Sequence, residues 1–339
     1  MIYYLVTAED RITIDNYLFV QRSLMRFIKP LLFSTFTDIE THQAGTYLYS
    51  NVDRLSHADR EAVIATAISL DRRSDIVQWN HPVRALARYE LLKKLQSENI
   101  NTYNVYRPEE NIEGLRYPIF VRQANDHLGP MSPLIHTSES LKQYLTKTHF
   151  PKSKKEDLII CEFCDTSDSE GIFRKYSAFN VAGKIVPRHL FFSENWALKK
   201  SDFKDKRFIE EELSYIRQNP HGPELQEIFH TANIDFGRID YAVLDGKLQV
   251  WEINMNPMIL TPDMLSKNPR LEIHRHFANE LMAQWIKMTE GMDKQKLVSL
   301  FLSAIPIGIN VIRFKLSFWL QISFKPWLRN MLGLPERSK

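Results

Sequence analysis

The first eighty residues alternate between short apolar runs and segments with helical spacing. Apolar runs that favour strands occur at 2–8, 45–50 and 75–80, and helical spacing occurs near 15–29 and 56–70. Such alternation is typical of an α/β layer. Leu86, Tyr89, Leu92 and Leu95 then recur at helical spacing and predict a further helix. We therefore place a domain boundary near residue 82.

Beyond residue 157 the pattern changes to one that favours antiparallel hairpins. Before that point the sequence predicts a strand at 117–122, a polar loop and a helix from about Thr137. Hairpins are then predicted at 173–193 and 236–254, with helices near 205–219 and 222–232 between them. We expect a mixed α/β and α+β chain of four regions: an N-terminal α/β domain (1–82), a smaller subdomain (83–156), a larger subdomain (157–286) and a tail (287–339).

Composition narrows the class of protein. The chain has 339 residues, 44% of them hydrophobic and 25% charged, which is enough to bury a large core. A net charge of +3 argues against general nucleic-acid binding. Cys161 and Cys164 are the only cysteines, and they fall on a predicted buried strand, so we interpret them as structural. No apolar run reaches the roughly 18 residues of a membrane span, and we predict a cytoplasmic protein.

The stretch "VWEINMNP" suggests chemistry. Residues two apart on a strand face the same side, so Glu252 shares a face with Asn254, as Arg238 does with Asp240. A regular two-residue turn would pair Asp240 with Trp251 and turn Glu252 to the opposite face. One bulge, or a loop with an odd number of residues, would unite the four polar side chains.

Those four side chains suit one task. Two carboxylates and an amide oxygen can hold one or two Mg²⁺ ions that share their ligands with substrate phosphates. An arginine beside them can neutralise charge on a transferring phosphoryl group. The alternative is that Arg238 and Asp240 belong to a surface ion-pair ladder and that Asn256-Pro257 is only a turn.

The whole segment "GRIDYAVLDGKLQVWEINMNP" resembles the signature of the ATP-grasp superfamily, of the carboxylate–amine ligase type that includes D-alanine:D-alanine ligase and ribosomal-protein glutamate ligases. Four further segments resemble that family in the expected order, over about residues 80–260. They are the helix entering the nucleotide domain ("NHPVRALARYELLKKLQSENI"), the phosphate-binding strand ("YPIFVRQ"), the adenine hinge ("LIICEFCDT") and a hairpin ("FRKYSAFNVAGKIVPRHLF").

The resemblance implies an ATP-grasp fold that binds ATP and Mg²⁺, or Mn²⁺ in its place. It implies Asp240, Glu252 and Asn254 as metal ligands and Arg238 as the catalytic residue beside the transferring phosphoryl group. The implied nucleotide contacts are Arg88, Arg122, Lys199 and the hinge residues Glu162, Phe163, Cys164 and Asp165, which would line the adenine partly through backbone groups. An acid among Asp165, Asp168 and Glu170 would meet the ribose.

The sequence departs from the family pattern at the phosphate site. Arg122 and Arg88, or alternatively Arg84, stand where the family has lysines, and arginine is not interchangeable with lysine. The phosphate-covering loop "QANDHLGPMSP" has a single glycine, so His127 and Ser132 are candidates for side-chain contacts. His189 faces either the nucleotide or the core.

The predicted activity is ATP- and Mg²⁺-dependent ligation of a carboxylate to an amine through an acyl phosphate, on small-molecule or peptide substrates. The alternatives are a small-molecule kinase and, because arginines replace both lysines, a non-catalytic ATP-binding regulatory protein.

The amphipathic C-terminal tail is rich in large apolar and aromatic residues. Its cations, Arg313, Lys315, Lys325 and Arg329, have no acid among them before Glu336. Such a segment favours peripheral contact with an anionic membrane surface or with a partner protein. Packing on the ligase core as an extra helical layer is the alternative.

Overall fold

A computed structural model describes residues 1–112, 114–126, 128–148, 157–203, 205–266 and 269–288. His127, the lysine-rich segment 151–156 and the tail beyond residue 288 lie outside the described residues. The predictions for them therefore stay predictions. Within the described part of the chain, no helix is both long and apolar enough to cross a membrane.

The N-terminal region is a four-stranded parallel sheet with helices, as its alternating pattern predicted. Its elements are β1 (Ile2–Val6), α1 (Ile12–Val20), β2 (Ile28–Leu32), α2 (Phe33–Asp38), β3 (Gly45–Tyr49), α3 (His57–Leu70) and β4 (Ile76–Trp79). The strand order is β2-β1-β3-β4. Helix α3 begins after Ser56, whose hydroxyl accepts a hydrogen bond from the Asp59 N–H as an N-cap.

The helical segment predicted near 15–29 is shorter than its spacing indicated. After α1 a 3₁₀ turn (Arg22–Arg26) intervenes, and β2 then pairs with β1. Short apolar runs fit a helix and a buried strand equally well, so the pairing with β1 decided between them.

The second layer is a three-stranded antiparallel sheet. Its elements are α4 (Arg88–Ser97), β5 (Val105–Tyr106), β6 (Ile119–Gln123), α5 (Ser138–Lys147) and β7 (Leu158–Glu162), with strand order β5-β7-β6. The sequence placed β7 in the larger subdomain, whereas the structure places it at the centre of this smaller sheet. All five of its residues are buried, which is why it reads as a continuous apolar run.

The third layer is a four-stranded antiparallel sheet built from the two predicted hairpins. Its elements are β8 (Phe173–Val181), β9 (Lys184–Ser193), α6 (Lys206–Gln218), α7 (Gly222–Ala232), β10 (Phe236–Leu244), β11 (Lys247–Asn254) and α8 (Leu271–Lys287). The order is β11-β10-β8-β9. Helix α7 packs on one face, against Ile239 and Val250, and α8 packs on part of the other, where Phe277 meets Phe179.

The N-terminal layer and the large sheet share one core. Tyr4 and Trp79 from the parallel sheet pack in the same cluster as Phe236 and Trp285. Asn80 fixes the junction: its Nδ2 donates to the Phe236 carbonyl at 2.7 Å and its Oδ1 accepts from the Phe236 N–H at 3.0 Å. These hydrogen bonds fix the end of the N-terminal layer to β10 of the large sheet.

Candidate active site

A single β-bulge brings the predicted polar residues together. The turn of the β10–β11 hairpin is regular, since Leu244 pairs with Lys247, but the register shifts after Asp240, which pairs with Glu252. Trp251 is the extra residue of the bulge. Of the two irregularities that could unite the four side chains, the structure contains the bulge. Arg238 and Asn254 form the neighbouring pair on the same face.

The paired carboxylates begin a row of side chains that crosses the whole sheet. Glu252 lies opposite Asp240, Asp240 opposite Ser177, and Ser177 opposite His189. The Ser177 hydroxyl donates to Asp240 Oδ1 at 2.8 Å. The sequence analysis did not single out Ser177. Its alternation with Lys175 along β8 was a signal, but only the strand order shows that both lie beside Asp240.

Asp240 is held ionised in a buried position. It is 3% exposed, with Arg238 Nε 2.9 Å from Oδ1 and Lys175 Nζ 3.5 Å from Oδ2. Burial raises the pKa of this carboxyl group, but Arg238 and Lys175 outweigh burial and hold the pKa below its usual range. The carboxylate therefore keeps its charge near neutral pH.

Glu252 is contacted by both arginines that stand at the family's lysine positions. Nη2 of Arg88 and Nη2 of Arg122 each donate to Glu252 Oε2, the second at 3.1 Å. Arg84, the alternative to Arg88, forms an ion pair with Asp71 at 3.4 Å and is half exposed. The structure thus brings Arg88 and Arg122, rather than Arg84, to the predicted metal carboxylates.

Asn254 and Asn256 connect the candidate site to the N-terminal layer. Asn254 Oδ1 accepts a hydrogen bond from the Asn256 N–H at 2.9 Å. Asn256 is buried, and its Oδ1 accepts from the Tyr4 hydroxyl at 2.8 Å and from the Thr13 hydroxyl at 2.7 Å. Asn256-Pro257 is therefore more than a turn, because it anchors the strand end that carries Glu252 and Asn254.

Lys199 lies against the loop predicted to cover phosphates. Gly129 has a φ of +92°, and a Cβ at this residue would meet Lys199 Cε at 3.0 Å and Nζ at 3.6 Å. Glycine is favoured there because the backbone is left-handed and because the lysine side chain occupies the space a Cβ would need. Ser132, by contrast, is committed to the backbone: it accepts from the Val121 N–H at 2.9 Å and donates to the Pro133 carbonyl at 2.8 Å.

The predicted adenine hinge follows β7 and lies beside an aromatic cluster. The Phe163 ring is 5.7 Å from Trp196, which is 5.0 Å from Phe120. Glu162 is buried, and its carboxylate accepts from the Asn104 N–H at 2.9 Å and from Arg116 Nε at 3.0 Å. Its side chain is therefore turned into the small sheet, so the nucleotide contact that the resemblance implies for Glu162 would be made by its backbone groups.

Two other residues of the predicted hinge, Cys164 and Asp165, contact neighbouring hydroxyl groups. Cys164 Sγ lies 3.6 Å from the Thr102 hydroxyl, and Asp165 accepts from the Ser167 hydroxyl at 2.7 Å. Burial raises the pKa of the Cys161 thiol to about 12, so this thiol stays protonated, in keeping with a structural cysteine. Trp196, beside Phe163, and Trp251, beside Tyr103, are aromatic residues that the sequence analysis missed, since nothing local marks them.

The remaining acidic candidates for a ribose contact are engaged in ion pairs. The hydrogen bond from Arg174 is the largest of the influences that lower the pKa of Asp168 to about 2. Glu170 lies 2.9 Å from Arg207. His189, left open by the sequence, is buried, and its ring stacks on Phe191 at 3.9 Å.

The oxygen ligands at this site suit a hard cation such as Mg²⁺ only when a bound nucleotide supplies further oxygen ligands. No cluster of three or more His, Cys, Asp or Glu side chains occurs among the residues that the structure describes. Asp240, Glu252 and the Asn254 amide offer oxygen ligands on one face, which is what Mg²⁺ prefers. Four cations, Arg88, Arg122, Arg238 and Lys175, surround the two carboxylates. Phosphate oxygens would complete the ligand set and balance that positive charge.

Comparison with known proteins gives the following. No protein-family model and no curated protein matches the sequence. Among solved structures, the chain is similar to D-alanine–D-alanine ligase from Bacillus anthracis complexed with ATP, at 13% identity and a TM-score of 0.44, covering 84% of this chain and 98% of that one.

Two further structures are similar to this chain. The ATP-grasp ligase PsnB, complexed with a precursor variant, Mg and ADP, matches at 10% identity and a TM-score of 0.48, covering 84% of this chain and 97% of that one. D-cycloserine synthetase DcsG matches at 12% identity and a TM-score of 0.47, covering 83% of this chain and 100% of that one.

Proposed function

We propose that the protein is an ATP- and Mg²⁺-dependent ligase that joins a carboxylate to an amine through an acyl phosphate. The observation that carries the proposal is the direct pairing of Asp240 with Glu252 across the bulged hairpin, with Arg238 and Asn254 beside them. A surface ion-pair ladder has no need of a bulge or of burial, and Asp240 is 3% exposed.

Charge at the site supports a polyphosphate substrate. Two carboxylates face four cations, so these side chains carry an excess of positive charge. Magnesium alone would add to that excess, whereas ATP with its bound magnesium compensates it. Lys199, which lies against Gly129, and Arg122, which contacts Glu252, are the cations that we assign to the phosphates.

In the first step, an oxygen of the substrate carboxylate attacks the γ-phosphorus of ATP. The bond to the β–γ bridging oxygen breaks, and ADP leaves with its electron pair. Arg238, already held by Asp240 at 2.9 Å, stabilises the charge on the transferring phosphoryl group. Bound magnesium, held by Asp240, Glu252 and Asn254, would supply charge neutralisation between the phosphates.

In the second step, the nitrogen of the amine substrate attacks the acyl carbon. The acyl C–O bond breaks, and inorganic phosphate leaves and takes up the proton that the nitrogen loses as the amide forms. Little covalent chemistry is required of the chain, so the rate depends on positioning and electrostatics. The Asn256 anchor to Tyr4 and Thr13 gives the metal-binding strand end the rigidity this requires.

The proposal is tested by product analysis. We expect the protein to release ADP and phosphate from Mg·ATP only when a carboxylate and an amine from a candidate pool are both present, with a condensed product by mass spectrometry. Phosphorylation of a single compound would instead show a kinase. Binding of ATP without turnover would show a regulatory protein, and either result would overturn the proposal.

The metal-ligand assignment needs a matched pair of variants. Glu252→Gln should lower turnover by about 10³-fold or more, because it removes a charged ligand where phosphoryl charge must be balanced. Glu210→Gln, at an exposed position on α6, should leave turnover unchanged. Circular dichroism of both variants shows that they are folded. Turnover retained by Glu252→Gln would remove Glu252 from the ligand set.

A further inference from the structure

Arg88 joins three separate parts of the molecule. It is the first residue of α4, and its side chain is 4% exposed. Nη1 reaches three main-chain carbonyls at the end of β6 and in the following loop: Gln123 at 3.0 Å, Ala124 at 2.6 Å and Asp126 at 2.7 Å. Nη2 donates to Glu252 on β11. One guanidinium group thus ties the loop of the small sheet to the carboxylate of the large sheet.

The Arg122 side chain is more exposed than that of Arg88 and contacts fewer main-chain carbonyls. Arg122 lies on β6 with 12% of its side chain exposed, three times the value for Arg88. Its Nη2 donates to Glu252 at 3.1 Å and reaches the Asp126 carbonyl only at 3.5 Å.

We propose that the two arginines have different roles: Arg122 binds nucleotide phosphate, whereas Arg88 is a positioning residue that couples the loop after β6 to Glu252. The role of Arg122 rests on the proposed function, since its partner is the nucleotide. The role of Arg88 is a property of the nucleotide-free protein. A bound nucleotide draws Arg122 from Glu252 and leaves the contacts of Arg88 with the loop in place.

Geometry explains why arginine, and not lysine, stands at position 88. The planar guanidinium group donates in two directions at once, to the carbonyls through Nη1 and to the carboxylate through Nη2. A lysine ammonium carries its three donors on one nitrogen, so it cannot reach the loop carbonyls and the carboxylate from two separate nitrogens. At position 122 a lysine keeps the charge that a phosphate requires.

The experiment compares Arg88→Lys and Arg122→Met in the full chain. Without nucleotide, Arg88→Lys should speed hydrogen exchange of the amides at 123–126 by about tenfold or more, because loop contacts of a charged donor are lost. Arg122→Met should leave that exchange unchanged but weaken binding of Mg·ATP about tenfold or more in calorimetry. Arg122→Lys should restore most of that affinity.

The opposite pattern would overturn the proposal. If Arg88→Lys leaves exchange unchanged and weakens Mg·ATP binding as much as Arg122→Met does, Arg88 is itself a phosphate ligand. Should Arg88→Lys not fold, the wild-type protein provides the test. Amides at 123–126 must already be protected without nucleotide, and strong new protection on adding Mg·ATP would contradict the role of Arg88.

The two proposals fail in different ways. If the wild-type protein does not bind Mg·ATP, the proposed function and the role of Arg122 are both wrong, while the exchange result still decides the role of Arg88.

Discussion

The two hairpins of the large sheet have the same backbone geometry but different surroundings. Each has a two-residue turn with positive φ at both residues, Ala182-Gly183 in one and Asp245-Gly246 in the other. Each also has one bulge, next to Ser177 in β8–β9 and next to Asp240 in β10–β11. Because Ser177 pairs with Asp240, the two bulges lie at the same level of the sheet.

The surroundings of the two bulges differ. In β10–β11 the extra residue is Trp251, and Glu252 beside it is 12% exposed and forms ion pairs with Arg88 and Arg122. In β9 the extra residue is Arg188, which is 4% exposed under α8, with its guanidinium group 4.5 Å from the Phe277 ring centroid. A bulge thus decides which side chains share a face, and the elements covering that face decide whether they form a site or a core.

Moving the carboxylate out of register with Asp240 gives the largest expected effect. Because Trp251 is the extra residue of the bulge, deleting it would leave Glu252 opposite Asp240, so the carboxylate itself must be moved. The double variant Trp251→Glu/Glu252→Trp places it at the bulged position, and ATP turnover should fall by about 10³-fold or more. Trp251→Ala keeps the bulge and the carboxylate and should retain turnover within about tenfold. ADP release measures both variants, with circular dichroism as a check of folding. Full activity of the double variant would show that the register is not what unites the carboxylates.

Replacing the buried cation of the other hairpin should stabilise the protein. Arg188 has no acidic ion-pair partner in the part of the chain that the structure describes; Nη1 lies 3.2 Å from His274 Nδ1 and Nη2 lies 3.3 Å from Met264 Sδ. Burial lowers the pKa of Arg188 to about 9. Arg188→Met should therefore raise the free energy of unfolding at pH 7 by about 2 kcal/mol without changing turnover.

The pH dependence of that gain has a definite sign. The unfolded chain binds the Arg188 proton more tightly than the folded protein does, so the wild type gains stability as pH rises through about 9. The advantage of Arg188→Met, measured by urea denaturation, should shrink between pH 8 and pH 10.5, values chosen on either side of that pKa. If the gain in the free energy of unfolding stays constant with pH, or if the variant is less stable than the wild type at pH 7, then the burial of Arg188 does not destabilise the protein.

The smallest effect concerns the outer end of the first hairpin, where Asp168 pairs with Arg174 of β8. The pKa of Asp168 is lowered to about 2 by this pairing, so its stabilisation is present above its ordinary pKa and is lost as pH falls towards 2. Asp168→Asn should lower the free energy of unfolding by about 1 kcal/mol at pH 7, less at pH 3, allowing for solvent screening. Asp165→Asn is the control, since the hydrogen bonds of Asp165 within the described part of the chain are local ones, to Ser167. Equal losses at both pH values would contradict the ion-pair explanation.

What the sequence by itself determined is local. Helix α3 with its Ser56 cap, both hairpins and the two left-handed turns follow from spacing and turn residues within a few positions. Alternation along a strand also placed Glu252 with Asn254, and Arg238 with Asp240. The resemblance of the motifs supplied the order of the nucleotide-binding segments.

What only the tertiary structure decided is how these parts meet. The alternation of apolar and polar residues does not indicate which strand edges pair. The sequence therefore placed β7 with the larger subdomain, and it predicted a shared face for the four polar side chains only if the hairpin contained a bulge or an odd-numbered loop. The bulged Trp251 packs on the small sheet beside Tyr103, at 5.2 Å, and Arg88 reaches Glu252 from a helix far away in the chain. A bulge and a buried ion pair of this kind depend on partners distant in sequence, because packing energy is gained only once the sheets are assembled.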